Sequence, residues 1–384
     1  MRVSAAKTAQ RVERNVYLKY LNIKSYGDGN DYPQKVLDIV ASSGTGKTCF
    51  DIYVKFVEGA GFRDQALVDA VINDRGERAS ALLTKFAKDL KYFNGFACLV
   101  KYDFSGRAFA FYDVPFEHCR LEIDQEGNYT GRVAVHPDWA KQTGMTFKKS
   151  DVKFFHRFDP ESVLDEILEV GTPAEYLGQI YYFTWDGDWE YPICPFDPIV
   201  TDMLTEESIS TVKHRNAKFN FLPAGILIRK GIKPRTTDDG NIDPSDPYNQ
   251  EQEASAIEFR RMQGDSNASK IWVVDVDADE EKPEFIEFEA KNYDKQFEYS
   301  ETTVQDNIGR MFKVPPILRG VDIGAGFGAD LMVNAYNYMN SVVDDERRKI
   351  ETVFMDLFQV WPQQYDYTID PIKYVANESI GNEG

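Results

Sequence analysis

The sequence predicts an α+β protein, and three observations predict it. Apolar residues keep helical spacing in three stretches between Val36 and Phe93, a block of period-two strands follows, and the last third returns to helical spacing. At 384 residues the chain has room for two or three packed units.

The first helix is predicted in "YPQKVLDIV", where Val36, Ile39 and Val40 fall at i, i+3, i+4 and Pro33 suits a first turn. After the Gly44–Gly46 break, Cys49, Phe50, Tyr53, Phe56 and Val57 repeat the spacing until Gly59 and Gly61 stop it. A longer amphipathic helix carries Leu82, Leu83, Phe86, Leu90 and Phe93 on one stripe. From Phe96 the period changes to two. Short strands separated by Ser105-Gly106 and Glu126-Gly127 predict an antiparallel meander, followed by a short helix over 161–169 and a strand in "GQIYYFTW".

"YPICPFDPIV" marks a boundary. Asp197 can cap, and Pro198 can open, a helix running to Phe221. A polar stretch, "KPRTTDDGNIDPSDPYNQEQEAS", reads as a surface insertion, followed by a charged helix to Arg261 and strands in "KIWVVDVD" and "EFIEFEA". Phe297, Val304, Ile308 and Met311 stripe a helix from Tyr293 to Phe312. "VPPILRGVDIGAGFGAD" interrupts it, and one long helix is predicted from Leu331 to Trp361, carrying Val342, Ile350, Val353, Phe354 and Leu357. The tail "ANESIGNEG" is polar, and no internal repeat is found.

Acidic residues outnumber basic ones 63 to 44, a formal charge of −19. Such a chain repels a nucleic-acid backbone, which argues against tight groove binding but not against DNA sliding past. The N-terminus lacks a signal-peptide core and no run approaches a membrane span, so a soluble intracellular protein is expected. Cys49, Cys98, Cys119 and Cys194 show no CxxC spacing and read as reduced thiols.

"ASSGTGKT" matches a phosphate-loop pattern through Ala41, Gly46, Lys47 and Thr48. A working loop leaves a strand and enters a helix, whereas this one lies between two predicted helices, where Ser42, Ser43 or Thr45 would cap. Asp275, Asp277 and Asp279 have calcium-loop spacing, but Glu280 replaces the needed glycine and Ile286 the bidentate glutamate. "GAGFGAD" could form an anion nest, yet reads better as a connecting loop. His118, His136, His156 and His214 stand alone, and no nucleophile–base pattern occurs. No enzyme, cofactor or metal is expected.

One segment is more specific. "TTVQDNIGRMFKVPPILRG", followed by a Gly-rich loop and a long helix, resembles the portal proteins of tailed bacteriophages. Ile308, Phe312, Val314, Pro315, Pro316, Leu318 and Gly320 match that family's I-x-x-x-F-x-V-P-P-x-L-x-G pattern. "FNGFACLVKYD", "YDVPFEHCRL", "GQIYYF" and "YPICPFDPI" also look like portals from phages of Bacteroides-type hosts. The resemblance covers roughly residues 30–360.

The resemblance implies a wing over 1–195, a first stem helix over 196–222, a clip over 223–291 and a second stem helix over 292–314. It implies a tunnel loop over 315–330, with Gly320, Gly324, Gly326 and Gly328, and a long kinked helix with a short tail over 331–384. A crown would be small or missing. It further implies a virion protein assembled in the host bacterial cytoplasm, a ring, typically a dodecamer, at one capsid vertex. Double-stranded DNA would pass during packaging and ejection, and the major capsid protein, the large terminase subunit and a head–tail adaptor would dock. Asp294, Glu298, Glu301 and Asp306 would face the channel, or else form the helix's solvated face. Two other readings stay open: a nucleotide hydrolase using Lys47 and Thr48, and an acidic adaptor binding a basic partner.

Overall fold

In the computed structural model, a mixed sheet is covered by helices whose apolar stripes were legible in sequence. Residues 17–139, 147–171, 175–187, 190–219, 225–230, 272–276, 284–287, 293–321 and 328–375 are described. The chain divides into two units, Met1–Leu204 with Asp306–Gly384, and Thr205–Gln305.

The first unit carries helices α1 (Tyr32–Ser42), α2 (Gly44–Glu58), α3 (Gln65–Asp69) and α4 (Ala79–Phe93). The predicted stripe of α4 is buried throughout, with Phe86 and Phe93 fully enclosed. Its sheet comprises β1 (Tyr17–Leu18), β2 (Ile23–Lys24), β3 (Gly95–Tyr102), β4 (Ala108–Val114), β5 (Cys119–Ile123), β6 (Tyr129–Val135), β7 (Lys153–Arg157) and β8 (Gln179–Thr184). Strand order is β1-β2-β5-β6-β7-β8-β3-β4.

The expected single meander is therefore corrected. β3–β4 and β5–β6 are antiparallel hairpins, but β4 and β5 are not neighbours, and β7 pairs with β8 in parallel. Helix α5 (Val163–Val170) lies in the connection between β7 and β8. Parallel strands need such a crossover, and it delivers β8 to the free side of β3.

Helix α6 (Val200–Phe219) follows a 3-10 turn at Asp197–Ile199, close to the predicted start. It runs from the first unit into the second, and α7 (Tyr293–Met311) returns. Between them the second unit holds β9 (Gly225–Lys230), β10 (Trp272–Val276) and β11 (Glu284–Glu287). β9, absent from the sequence reading, is the centre of this sheet, parallel to β10 and antiparallel to β11. Asp275 lies on β10, whereas Asp277, Asp279, the polar insertion and the charged helix to Arg261 lie outside the described residues.

The long helix expected over 331–361 is two helices, α8 (Ala329–Val342) and α9 (Asp344–Phe358). Val343 breaks them at φ −101°, ψ 8° without proline or glycine. Asp344, Asp345 and Glu346 form an acidic first turn that favours starting a new helix. Buried Arg347 spans the break, donating to the Asn340 carbonyl at 3.2 Å, to Asn340 Oδ1 at 2.7 Å and to the Phe56 carbonyl at 3.2 Å. On α9, Phe354 and Phe358 enter the same aromatic core as Phe86 and Phe111.

Candidate functional site

The residues from Asp306 to Gly320 fold into two successive helix endings. In the first, Lys313 adopts φ 55°, its N–H bonds the Arg310 carbonyl at 3.0 Å, and the Val314 N–H reaches Gly309 at 3.0 Å. That pair of bonds closes α7 as a Schellman motif with lysine where glycine is usual. Pro315 then starts a short 3-10 helix, Pro316–Arg319. It closes the same way: Gly320 takes φ 76° and bonds the Ile317 carbonyl at 3.3 Å, while the Val321 N–H bonds Pro316 at 3.1 Å. The prolines supply fixed φ and no donor to continue a helix, so the chain turns sharply twice within eight residues, 313–320.

The pattern residues divide by burial. Ile308, Phe312 and Val314 are buried, Pro315 and Leu318 are half-buried, and Pro316 and Gly320 are exposed. Phe312 stacks on Phe196 at 5.4 Å, which ties the end of α7 to the approach of α6. Asn307 also donates to Asp202 on α6 at 3.3 Å.

Three participants escaped the sequence reading. Arg319 packs across the α7 backbone at Gly309 and reaches Asp306 at 3.4 Å. Lys91 on α4 places its ammonium 3.6 Å from the Tyr53 ring centroid and 5.2 Å from that of Phe312. Burial lowers Lys91 to about 8, opposed by the Glu346 carboxylate. Tyr53 donates to Glu346, and burial followed by that carboxylate pushes its phenol up. A lone lysine on an amphipathic helix gives no sequence signal for such a box.

Of the four acids assigned to the second stem helix, Glu301 is ion-paired with Lys213 of α6. Asp306 faces Arg319. Asp294 and Glu298 fall on α7, with side chains outside the described residues. Gly328 precedes α8 as its cap residue, while Gly324 and Gly326 lie outside the description.

The phosphate-loop match is one of letters only. α1 and α2 are joined by Ser43 alone, whose Oγ accepts from the Gly46 N–H at 2.9 Å. Lys47 pairs with Asp51 on the next turn, and Thr48 donates to the Gly44 carbonyl at 2.9 Å. Of the candidate caps, Ser43 is the one used for α2. Helix α1, and not a strand, leads into α2.

All four cysteines are buried, and none is in a disulfide. His136 is buried against Trp139 and Phe147, and its Nδ1 accepts from the Asp138 N–H. His156 lies 3.9 Å from Glu166. Among the described residues no group of three His, Cys, Asp or Glu could hold a metal ion. Among them, too, no helix is long and apolar enough to cross a membrane.

No protein-family model matches the chain, and no curated protein matches it. Solved structures do show partial likeness. A chain in the neck of a native gene transfer agent particle aligns at TM-score 0.49 and 13% identity, covering 86% of this chain and 81% of that one. A chain from the virion of a native gene transfer agent particle aligns at 0.49 and 12%, covering 88% and 83%. An HK97-family phage portal protein from Corynebacterium diphtheriae aligns at 0.39 and 12%, covering 79% and 84%. At these scores the likenesses are loose.

Proposed function

We propose that the chain is the subunit of a structural, non-enzymatic portal ring in the virion of a tailed phage, one with a Bacteroides-type host. One observation carries this reading. The I-x-x-x-F-x-V-P-P-x-L-x-G pattern falls where α7 returns to the first unit, and its Ile308, Phe312 and Val314 are the buried anchors of that return. In this reading α6 and α7 are the stem pair, and the small sheet between them in sequence is the clip.

In this reading the ring, a dodecamer, occupies one capsid vertex and passes double-stranded DNA during packaging and ejection. The first unit is the wing against the major capsid protein. The second unit's sheet is the clip that docks terminase and then the head–tail adaptor. Gly320, Gly324, Gly326 and Gly328 give the tunnel loop freedom to shift, since glycine takes both signs of φ. Asp294, Glu298, Glu301 and Asp306 lie on the channel side, where acids keep DNA from condensing on the wall. Lys213 tempers that charge at Glu301.

Electron microscopy of the purified protein tests the reading. Rings with a central hole are expected. Particles that stay monomeric across protein and salt concentration would overturn it.

A further inference from the structure

Three exposed apolar side chains lie around the β3–β4 hairpin tip and α5. Phe104 is 79% exposed, Leu168 77% and Leu164 52%. They form one surface. Leu164 and Leu168 are one turn apart on α5, so both lie on the same face. A Cβ built on Gly106, in the hairpin turn, would touch Leu164 Cδ2 at 3.3 Å, so the turn abuts the helix. Exposed side chains of this size meeting at one place mark an interaction surface more often than chance.

Charge selects the occupant. α5, "VLDEILEV", carries three acids and no cation, and Asp165 and Glu169 are exposed beside the leucines. Arg107 in the hairpin lies beside Asp103, which it helps hold below the usual carboxylate range after the Ser105 hydroxyl and the Arg107 N–H. The N-terminal segment of the chain complements this acid-rimmed apolar surface. Residues 1–16, outside the described residues, hold Arg2, Lys7, Arg11 and Arg14 against Glu13, with Val3, Val12 and Val16 between them. This cationic stretch belongs to a chain of net charge −19.

We propose that the Phe104–Leu164–Leu168 surface docks the basic N-terminal segment of a neighbouring copy. The choice of a neighbour rests on the ring reading above. β1, where that segment joins the fold, is one edge of the eight-stranded sheet, and the β3–β4 hairpin ends at the other. A chain's own segment must cross the sheet's width, about 30 Å at 4.8 Å per strand. A head-to-tail array joins two different surfaces of the chain, so the first edge of one copy can lie beside the last edge of the next.

Disulfide trapping in the full chain tests this. Val12→Cys with Leu168→Cys adds two thiols to a protein whose own four are buried. Mild oxidation is expected to give a ladder of covalent multimers on non-reducing gels. Adding Asp165→Lys and Glu169→Lys should cut that yield several-fold. An intrachain disulfide alone, no disulfide, or a yield indifferent to the charge reversals each overturns the proposal. Rings seen by microscopy without cross-links would sink the docking and leave the ring standing, whereas monomers would sink both.

Discussion

Arg319 lies across Gly309. A β-carbon on Gly309 would come within 2.5 Å of Arg319 Nη1 and 2.8 Å of its Nε, and the arginine side chain is only 7% exposed. The guanidinium thus occupies the space of a side chain on α7 and clasps the two turns between them.

Helix propensity alone favours alanine over glycine by about 1 kcal/mol inside a helix. At Gly309 the sign is expected to reverse. Forcing the enclosed guanidinium aside should make Gly309→Ala less stable by about 1–3 kcal/mol, the usual cost of overpacking. Urea midpoints measure it, and a variant as stable as the parent would mean that Arg319 gives way freely.

Ser43 and Lys47 should behave oppositely to their roles in a phosphate loop. Ser43→Ala removes a buried cap and is expected to cost about 1–2 kcal/mol. Lys47→Ala removes an exposed i,i+4 pair and should change stability by less than about 0.5 kcal/mol. Thermal melts with and without millimolar ATP check both. ATP-dependent stabilisation lost in Lys47→Ala would revive the hydrolase reading.

What the sequence disclosed follows from periodicity. α1, α2, α4 and the end of α7 each bury one stripe against one core, so their spacing carries the information. The break at Val343 depends instead on Arg347 bonding Asn340 and Phe56, a contact across 291 residues that leaves no local signature. β9 was missed because a short apolar run such as "GILI" reads equally as helix or strand. The meander failed between β4 and β5, which are not neighbours, because the α5 crossover and not strand alternation sets β8 between β7 and β3. At the candidate site the anchors Ile308, Phe312 and Val314 were legible as a pattern. Gly309, Arg319 and Lys91 were not, because their roles exist only once separate elements meet.

The Lys91 box predicts a pH dependence with a definite sign. Burial lowers this amine from the ordinary 10.5 to about 8, so the unfolded chain holds its proton more tightly. Wherever the unfolded state binds more protons, stability rises with pH. The penalty of burying the ammonium is therefore fully present below pH 8 and is relieved as pH climbs toward 10.5. Lys91→Met should be most stabilised relative to the parent below that window, with the advantage shrinking through it. Denaturation at several pH values gives the difference curve, and a flat difference would mean the lysine titrates normally.

The channel assignment is best tested at Asp294 and Glu298, because Glu301 already faces Lys213 and Asp306 already faces Arg319. An acidic wall leaves DNA its counterions, whereas each added lysine that meets a phosphate releases one. The salt slope of binding then steepens by about 0.9 per contact. Rings carrying Asp294→Lys with Glu298→Lys are expected to retain double-stranded DNA at low salt and release it as salt rises. Fluorescence anisotropy across a salt series reads this directly. The control places the same charge change on exposed turns of the proposed wing, as Asp28→Lys before α1 with Glu126→Lys between β5 and β6. Equal DNA retention by the two double variants would show that net charge alone is responsible, and the channel role of the α7 acids would fall.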